Sequence, residues 1–525
     1  MKRPTLGSLT GFALVLLAGC SASYSGGGAE RASVGYVAAD QERYDDGNKG
    51  QGEDDAPPPA DTGEPFDMFF KQHGTNPFVD TEDMKQSTFA VDVDTGAYTV
   101  CRDYLNRGYM PPDEAPRVEE FVNYFKYKYE APRDGVFGIT MDVAPSRYGA
   151  DLKNCHLLRV GMQAKTVDPA ERKPAVLTFV IDISGSMQME NRIGLVKQAL
   201  RMLVKQLRRD DQVGIAVYGS RGYKLLGHTN DPERIIDKLE GLQADGSTYA
   251  EEGIRIGYEM AAENFRENAI NRVILCSDGV ANVGTTGPEA ILKTVETYRR
   301  KGITLSAIGF GMSNYNDTLM EQLGDKGDGH YAYVDTLDEA KKIFVDNLTG
   351  TLQVVARDTK VQLEFNPEVV KSWRLLGYEN RWVKNEDFRN DTVDGGEVGA
   401  GHSVTALYEL KLHEGVQGDV AKATVRYKHD ELKEFLEVEK TTGTRDIRAW
   451  EQSPVSLRLA GNAAEFAELL RKSYWAKGGS YSALLEDVKK LIAETDDSEV
   501  LELANLITKA RSLEEAKDTG IAGGK

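Results

Sequence analysis

One turn of the chain carries three oxygen ligands at close spacing. Asp182, Ser184 and Ser186 supply one carboxylate and two hydroxyls within five residues. The turn follows the apolar run 176–181, which predicts a buried parallel strand. Open α/β sheets bind ligands at the carboxyl ends of their strands, and hard oxygens suit Mg²⁺ or Mn²⁺. Asp and Ser also cap helices and form turns without any ligand, so this turn alone leaves both interpretations open.

Two later segments place oxygen-bearing residues in matching positions. Thr248 follows Gly246 and Ser247 and precedes a segment with helical apolar periodicity. Asp278 comes two residues after a second apolar run, 273–276, and is followed by glycine. Because the carboxyl ends of neighbouring parallel strands meet at one edge of a sheet, we expect these side chains to converge with the first turn.

This order of residues resembles the metal-ion-dependent adhesion site of von Willebrand factor type A domains. The resemblance covers residues 173–350 and implies an α/β fold, a doubly wound parallel sheet with helices on both faces. It implies that the five side chains hold a divalent cation, most simply Mg²⁺, with Mn²⁺ and Ca²⁺ as alternatives. It also implies that an Asp or Glu of a partner protein completes the coordination. Asp245 departs from the family's pattern, and either adds negative charge near the ion or is a solvated loop residue.

The flanks resemble those of a bacterial lipoprotein family that carries this domain in the middle of the chain. Residues 63–165 resemble its amino-terminal extension, and residues 355–445, with Glu364-Phe365-Asn366-Pro367, resemble its carboxy-terminal domain. Alternating apolar residues predict an antiparallel β-region in 355–445, and three apolar stripes predict helices in 454–515. We expect strands from both sides of the α/β domain to join in one β-sandwich-like region, with that domain inserted into it.

The first 19 residues predict a secretory signal, with a basic end, a short apolar core and then Leu17-Ala18-Gly19-Cys20. The segment resembles a bacterial lipoprotein signal, which implies that Cys20 is lipidated and begins the mature chain. A plain signal peptide with an incidental cysteine is the alternative. Ser21, in place of Asp, implies the outer membrane if the cell is Gram-negative. Residues 20–62 are rich in Gly, Ser, Asp and Glu and predict a disordered tether.

Charge and cysteine content narrow the possible partners and the redox chemistry. The net charge is −19, and removal of Lys2 and Arg3 with the leader would leave −21. Nucleic-acid binding needs a basic surface, so this balance argues against it. Cys101 and Cys155 either pair in an oxidising compartment or stay reduced, and Cys276 is expected to be a small core residue.

The motifs of several enzyme classes are missing. The seven histidines form no His-x-x-x-His pair, and the sequence has neither a phosphate-binding Gly-x-x-x-x-Gly-Lys-Ser/Thr loop nor a Gly-x-Ser-x-Gly elbow. The turn 94–96 looks like that of an aspartic protease, but it has no second copy and precedes a predicted helix. Arg381 and its acidic neighbours either bind a ligand or tie loops together, and we favour the second.

We therefore predict a non-enzymatic, membrane-anchored protein of the cell envelope. It would bind a partner protein through the metal site and would not bind nucleic acid. Two alternatives remain: an envelope scaffold whose metal site is structural or vestigial, and a metal-assisted hydrolase.

Overall fold

The computed structural model describes the chain in five stretches: residues 68–91, 94–149, 152–279, 287–311 and 315–518. The leader 1–19, Cys20 and the tether predicted for 20–62 lie outside the described residues. Asn282 closely follows Asp278 in the sequence and is a candidate to orient the metal site through hydrogen bonds. It lies outside the described residues too. Within the described stretches, no helix combines the length and the apolar character needed to cross a membrane.

Strands and helices alternate in the middle of the chain, whereas strands dominate before and after it. The strands are β1 Val79–Asp80, β2 Gln86–Ala90, β3 Phe137–Pro145, β4 Cys155–Ala164, β5 Ala175–Asp182, β6 Gln212–Tyr218, β7 Gly222–Thr229, β8 Ile270–Ser277, β9 Ile303–Phe310, β10 Tyr331–Val334, β11 Val354–Phe365, β12 Val370–Leu376, β13 Gly396–Gly399, β14 Ser403–Leu412, β15 Asp419–His429 and β16 Phe435–Gly443. The helices are α1 Gly96–Asn106, α2 Val118–Asn123, α3 Arg192–Val204, α4 Pro232–Glu240, α5 Ala250–Glu263, α6 Pro288–Arg299, α7 Asp317–Lys326, α8 Leu337–Lys341, α9 Leu348–Leu352, α10 Val455–Leu470, α11 Tyr481–Thr495 and α12 Ser498–Asp518.

The central domain is built on a six-stranded sheet with the order β10-β9-β8-β5-β6-β7. Every pairing in it is parallel except that of the edge strand β7, which runs antiparallel to β6. Helices α3 and α4 cover one face, and α5, α6 and α7 cover the other. Strands β5 and β9 are buried along their whole length because both faces are covered, which explains their nearly continuous apolar sequences. The predicted doubly wound sheet is confirmed.

Two antiparallel sheets flank this domain in sequence but share one core. One has the order β1-β12-β14-β4-β3, and the other has the order β13-β11-β15-β16 with β2 also paired to β11. Strand β4, which precedes the central domain, pairs with β14, which follows it. Strand β2 pairs with β11 in the same way. The two sheets bury their facing apolar residues together, so the predicted insertion of the α/β domain into a β-sandwich-like region is confirmed.

The three carboxy-terminal helices pack against the two amino-terminal ones. Phe466 of α10 and Leu503 of α12 lie in one core with Tyr98 of α1 and Phe121 of α2. The rings of Phe121 and Phe466 meet edge to face, with their centroids 5.9 Å apart. The apolar stripes of the sequence therefore form a core, as expected, but about a third of its buried residues come from the segment 97–127.

Phe265 is wrongly placed by the helical periodicity of the sequence. The spacing of Ile254, Tyr258, Ala261 and Phe265 predicts one buried helix face, but α5 ends at Glu263 and Phe265 is 45% exposed. The side chain of Asn264 donates to the carbonyl of Met260, which a continued helix would have used for the backbone N–H. With this side-chain bond at its end, the helix stops two residues before Phe265.

The cysteines and the protease-like turn have structural roles. Cys101, Cys155 and Cys276 are buried, and Cys101 and Cys155 are not joined by a disulfide, so the suggested pairing of these two does not occur in this structure. The protease-like Asp94 is buried and accepts the backbone N–H of Tyr331 at 2.9 Å, which fixes the start of β10.

The acidic partners of Arg381 come from distant segments. Its guanidinium lies 3.6 Å from Asp94 and 3.7 Å from Glu321, and it also contacts Asp325. Arg381 therefore ties the β-sandwich to the central domain, in line with the role in loop packing that the sequence favours.

Candidate metal centre

The Asp-x-Ser-x-Ser turn begins at the last residue of β5. Asp182 and Ser184 are almost fully buried, and the N–H of Ser184 donates to Oδ1 of Asp182 at 2.8 Å. The hydroxyls of Ser184 and Ser186 lie 3.0 Å apart in a hydrogen bond. A 3₁₀ turn, Gly185–Asn191, then leads into α3. The turn thus holds one carboxylate and two hydroxyls at the carboxyl end of a central strand.

The neighbouring strand β8 brings the second carboxylate to the same edge. Ile181 pairs with Cys276 in the parallel register, so the next residues of the two strands lie side by side. The hydroxyl of Ser277 donates to Oδ2 of Asp182 at 2.9 Å. Asp278 follows and is only 4% exposed.

Thr248 reaches this edge through the backbone of its loop. The N–H of Gly185 donates to the carbonyl of Gly246 at 2.8 Å, and the N–H of Asp245 donates to that of Ile183 at 2.7 Å. Thr248 itself is half-buried and lies two residues before α5. Among the described residues its side chain has no hydrogen bond to the other four, so the loop, rather than a direct contact, brings it close. The side chain of Asp245 is exposed, which fits a solvated loop residue.

The electrostatics of the two carboxylates are asymmetric. Burial, and then the charge of Asp278, raise the pKa of Asp182 to about 6. Burial also raises the pKa of Asp278, although Ser186 and Arg192 oppose that effect. Asp278 has a cationic partner, because a guanidinium N–H of Arg192 donates to its Oδ2 at 2.9 Å. Asp182 has only neutral donors and forms no ion pair with any described residue.

Two residues of this site, Ser277 and Arg192, escaped the sequence reasoning. Ser277 is one more polar residue at a strand end and gave no signal of its own. Arg192 did give one: it is the first residue of α3, where the helix dipole disfavours a cation. A basic residue in that position indicates a nearby acid. The structure also shows why Gly311 follows β9, since a Cβ there would lie 2.1 Å from Nε of Arg192.

The residues present suit a hard divalent cation. A carboxylate buried without a counter-ion is unfavourable, and a cation beside Asp182 and Asp278 would remove that penalty. The remaining donors at this edge are hydroxyl oxygens, which suit Mg²⁺, Mn²⁺ and Ca²⁺ rather than softer metals. Within the described ranges no three or more His, Cys, Asp and Glu side chains cluster in a metal-binding arrangement, so hydroxyls would have to contribute ligands.

Three family models match successive parts of the chain. A von Willebrand factor model matches residues 65–156, and the von Willebrand factor type A domain model matches residues 177–346. The model of the carboxy-terminal part of the uncharacterized protein YfbK matches residues 350–513. The chain therefore belongs to the bacterial von Willebrand factor type A domain family. Domains of this type mediate protein–protein interactions, and most are not enzymes.

Among individual proteins, the chain is similar to the uncharacterized protein YfbK of Escherichia coli (strain K12). The two are 37% identical over 371 residues, which cover 69% of this chain and 64% of YfbK. The uncharacterized protein sll0103 of Synechocystis is 26% identical over 40% of this chain and 50% of its own length. A solved von Willebrand factor type A protein from Catenulispora acidiphila is 12% identical, with a TM-score of 0.42 over 71% of this chain and 89% of that one.

Proposed function

We propose that this protein binds a partner protein through a divalent cation, most simply Mg²⁺, at the carboxyl edge of its central sheet. The observation that carries the proposal is the buried carboxylate of Asp182, which lies beside Asp278 without a counter-ion of its own. Ser184, Ser186 and Thr248 would supply the neutral oxygen ligands. The fold family supports this reading, because its members act in protein–protein interaction.

The residues of the site set how strongly a bound cation would attract a partner. Ser184 and Ser277 fix both oxygens of Asp182 by hydrogen bonds, so that carboxylate is oriented in advance. Arg192 neutralises Asp278, which leaves about one uncompensated negative charge at the site. A divalent cation would keep a net positive charge there and bind an Asp or Glu of the partner. A cation of this kind supplies electrostatic attraction for a carboxylate and needs no covalent chemistry.

Thermal unfolding with and without MgCl₂ tests the metal site. A cation that binds only the folded state raises Tm as its concentration passes Kd. We expect Tm of the wild type to rise, and Asp182→Asn, which keeps the shape but removes the charge, to abolish the rise. Asp237→Asn, at an exposed position of the same domain, is the matched control and should respond like the wild type.

Crosslinking in intact cells tests partner binding. Adducts of the wild type should disappear when a chelator is added, and Asp182→Asn should form none even with Mg²⁺ present. The proposal fails if Asp182→Asn, with the metal removed, still forms the adducts that the wild type forms in the presence of Mg²⁺.

An envelope scaffold with a structural or vestigial site is the second candidate. The observation that favours it is the Arg192–Asp278 ion pair, which already neutralises one of the two carboxylates without a metal. On this alternative, chelation lowers Tm but leaves the crosslinked complexes intact.

We also propose that lipid on Cys20 anchors the protein to a membrane of the cell envelope, in a Gram-negative cell the outer membrane, and that residues 20–62 act as a tether. Support comes from the sequence of the leader and its cysteine. Cys20→Ser should abolish labelling by radioactive palmitate and move the protein from the membrane fraction to the soluble fraction. Palmitate labelling that persists in Cys20→Ser would contradict the anchor.

A further inference from the structure

A cavity of about 340 Å³ lies between the central domain and the β-sandwich. Its walls come from the stretch that follows α2, the start of β10, the segment 339–351 and the start of β14. It is therefore at the amino end of β10, whereas the candidate metal centre is at the carboxyl edge of the same sheet. A cavity of this volume is at the lower end of the range for small-molecule sites and is too small for a folded partner.

Three lysines line the cavity, and two of them, Lys126 and Lys128, lie two residues apart in the chain. Lys126 and Lys128 alternate with the buried residues Phe125 and Tyr127. Both are exposed, and neither forms an ion pair with any described residue. Two neighbouring cations without counter-ions are unfavourable unless an anion joins them.

Two neutral histidines line the same cavity. Burial, and then the charge of Arg272, lower the pKa of His330 to about 3. Burial, and then the charges of Lys126 and Arg272, lower the pKa of His402 to about 4. Both rings are thus uncharged at neutral pH, and each can donate one N–H to a ligand.

Arg272 lies behind the histidines as a buried positive charge. It is 2% exposed, forms no ion pair with a described residue, and donates to Thr304 at 3.0 Å and to Ser306 at 3.2 Å. Oγ of Ser306 lies 3.1 Å from Nδ1 of His330. Because Ser306 accepts from Arg272, its own hydrogen is available for Nδ1, which favours the proton of His330 at Nε2.

The other charged residues of the lining are already paired. Glu339 is the one carboxylate among the described lining residues, and it binds Arg102 at 2.9 Å. Lys342 binds Glu499 at 2.8 Å. The cavity therefore keeps an excess of positive charge in a protein whose net charge is −19.

We propose that this cavity binds a small anion that carries a phosphate or several carboxylates. Lys126 and Lys128 bind its charge at the mouth, and His330 and His402 donate hydrogen bonds to it from the wall. Arg272 contributes attraction from behind the wall without direct contact. The site is separate from the metal centre and does not depend on the proposed adhesion function.

Calorimetric titration of the full chain tests this site, with inorganic phosphate and citrate as the two probes. The buffer has low ionic strength and no divalent cation, because salt screens exposed charges and citrate chelates metals. We expect at least one probe to bind. Binding of phosphate alone assigns a phosphate-bearing ligand, and binding of citrate alone assigns a polycarboxylate.

Three double variants locate the binding. Lys126→Ala/Lys128→Ala should weaken binding of the probe by about tenfold or more, because two charge-assisted contacts are lost. Lys126→Arg/Lys128→Arg should retain binding. Lys205→Ala/Lys384→Ala, which removes two exposed lysines elsewhere, is the matched control and should bind like the wild type. The proposal is overturned if neither probe binds with a Kd below about 10 mM, or if the Lys126/Lys128 alanine variant binds as tightly as the control.

Discussion

Arg192 donates to a carboxylate oxygen of Asp278 across 2.9 Å, and both side chains are almost fully buried. Asp182, on the adjacent strand, accepts hydrogen bonds from the neutral donors Ser184 and Ser277 and forms no ion pair within the described part of the chain. The two acids of one site are therefore balanced by different means, one by a fixed cation and one by neutral dipoles. Arg192 consequently limits how much negative charge the site can offer to a metal.

Arg192→Gln should make the protein less stable without metal and more responsive to Mg²⁺. Loss of one partner of a buried ion pair costs about 3–5 kcal/mol, since a charge is left uncompensated. The same charge becomes available to a cation, so we expect the Mg²⁺ affinity to rise about tenfold. Thermal unfolding over a MgCl₂ series measures both effects.

The control for this change is Arg255→Gln, which removes an exposed arginine paired with Glu259 at 2.6 Å on α5. Exposed ion pairs contribute little to stability, so the Tm and the Mg²⁺ response of Arg255→Gln should match those of the wild type. A response to Mg²⁺ in Arg192→Gln that is equal to or smaller than that of the wild type would contradict the role assigned to Arg192.

Gly257→Ala should destabilise the central domain through a single added methyl group. Gly257 lies in α5, the helix that follows the Thr248 loop, and a Cβ there would lie 2.2 Å from Cγ2 of Val180 in β5. Overpacking of this kind costs about 1–3 kcal/mol, which exceeds the gain in helix propensity of about 1 kcal/mol.

Tm should fall in Gly257→Ala. In Gly227→Ala, where the nearest side-chain atom is 3.5 Å away, Tm should stay close to that of the wild type. Equal Tm values in the two variants would show that α5 can move away from the sheet at little cost.

The order of elements in the central domain could be predicted because its signals are local. A strand buried on both faces needs a nearly continuous apolar run, as in β5 and in residues 273–276 of β8, and a helix on a sheet needs one apolar stripe. Polar residues at the ends of such strands then fall at one edge, which located Asp182 and Asp278. The insertion into the β-sandwich was also predictable, since alternating strands stand on both sides of the domain.

The remaining features depend on contacts between residues that are distant in sequence. Nothing near Ser277 indicated that its hydroxyl would bond Asp182, which lies 95 residues earlier in the chain. The cavity between the domains needs both domains in place before its lysines and histidines meet. The same is true of Arg102, whose acidic partners lie more than two hundred residues further along the chain.

Arg102→Met should weaken the attachment of the amino-terminal helix α1 to the central domain. The buried guanidinium binds Asp335 at 2.6 Å and Glu339 at 2.9 Å in that domain, and Glu502 of α12 at 3.0 Å. Burial raises the pKa of Asp335 to about 6 even beside this arginine, so its charge would be costly alone. We expect a loss of about 3–5 kcal/mol and faster proteolysis.

The matched control is Arg107→Gln, at a less buried position of the same helix where the arginine pairs with Asp103. Thermal unfolding and limited proteolysis of both variants measure the difference. If Arg102→Met and Arg107→Gln unfold at the same temperature, Arg102 does not hold the helix to the domain.

Glu465→Gln should change how stability depends on pH. Glu465 is a buried residue of α10, and burial, followed by the charges of Glu468 and Glu409, raises its pKa to about 9 from an ordinary value of 4.5. The folded state therefore holds the proton more tightly than the unfolded state. Between these two pKa values this group lowers stability as the pH rises, by about 1.4 kcal/mol per pH unit. Glutamine has the shape of the protonated acid and cannot ionise. The stability of Glu465→Gln relative to the wild type should therefore increase as the pH rises from 6 to 8. Glu431→Gln, at an exposed position, should follow the wild-type profile. Thermal unfolding at several pH values measures the three profiles, and parallel curves for Glu465→Gln and the wild type would mean that Glu465 is already ionised at neutral pH.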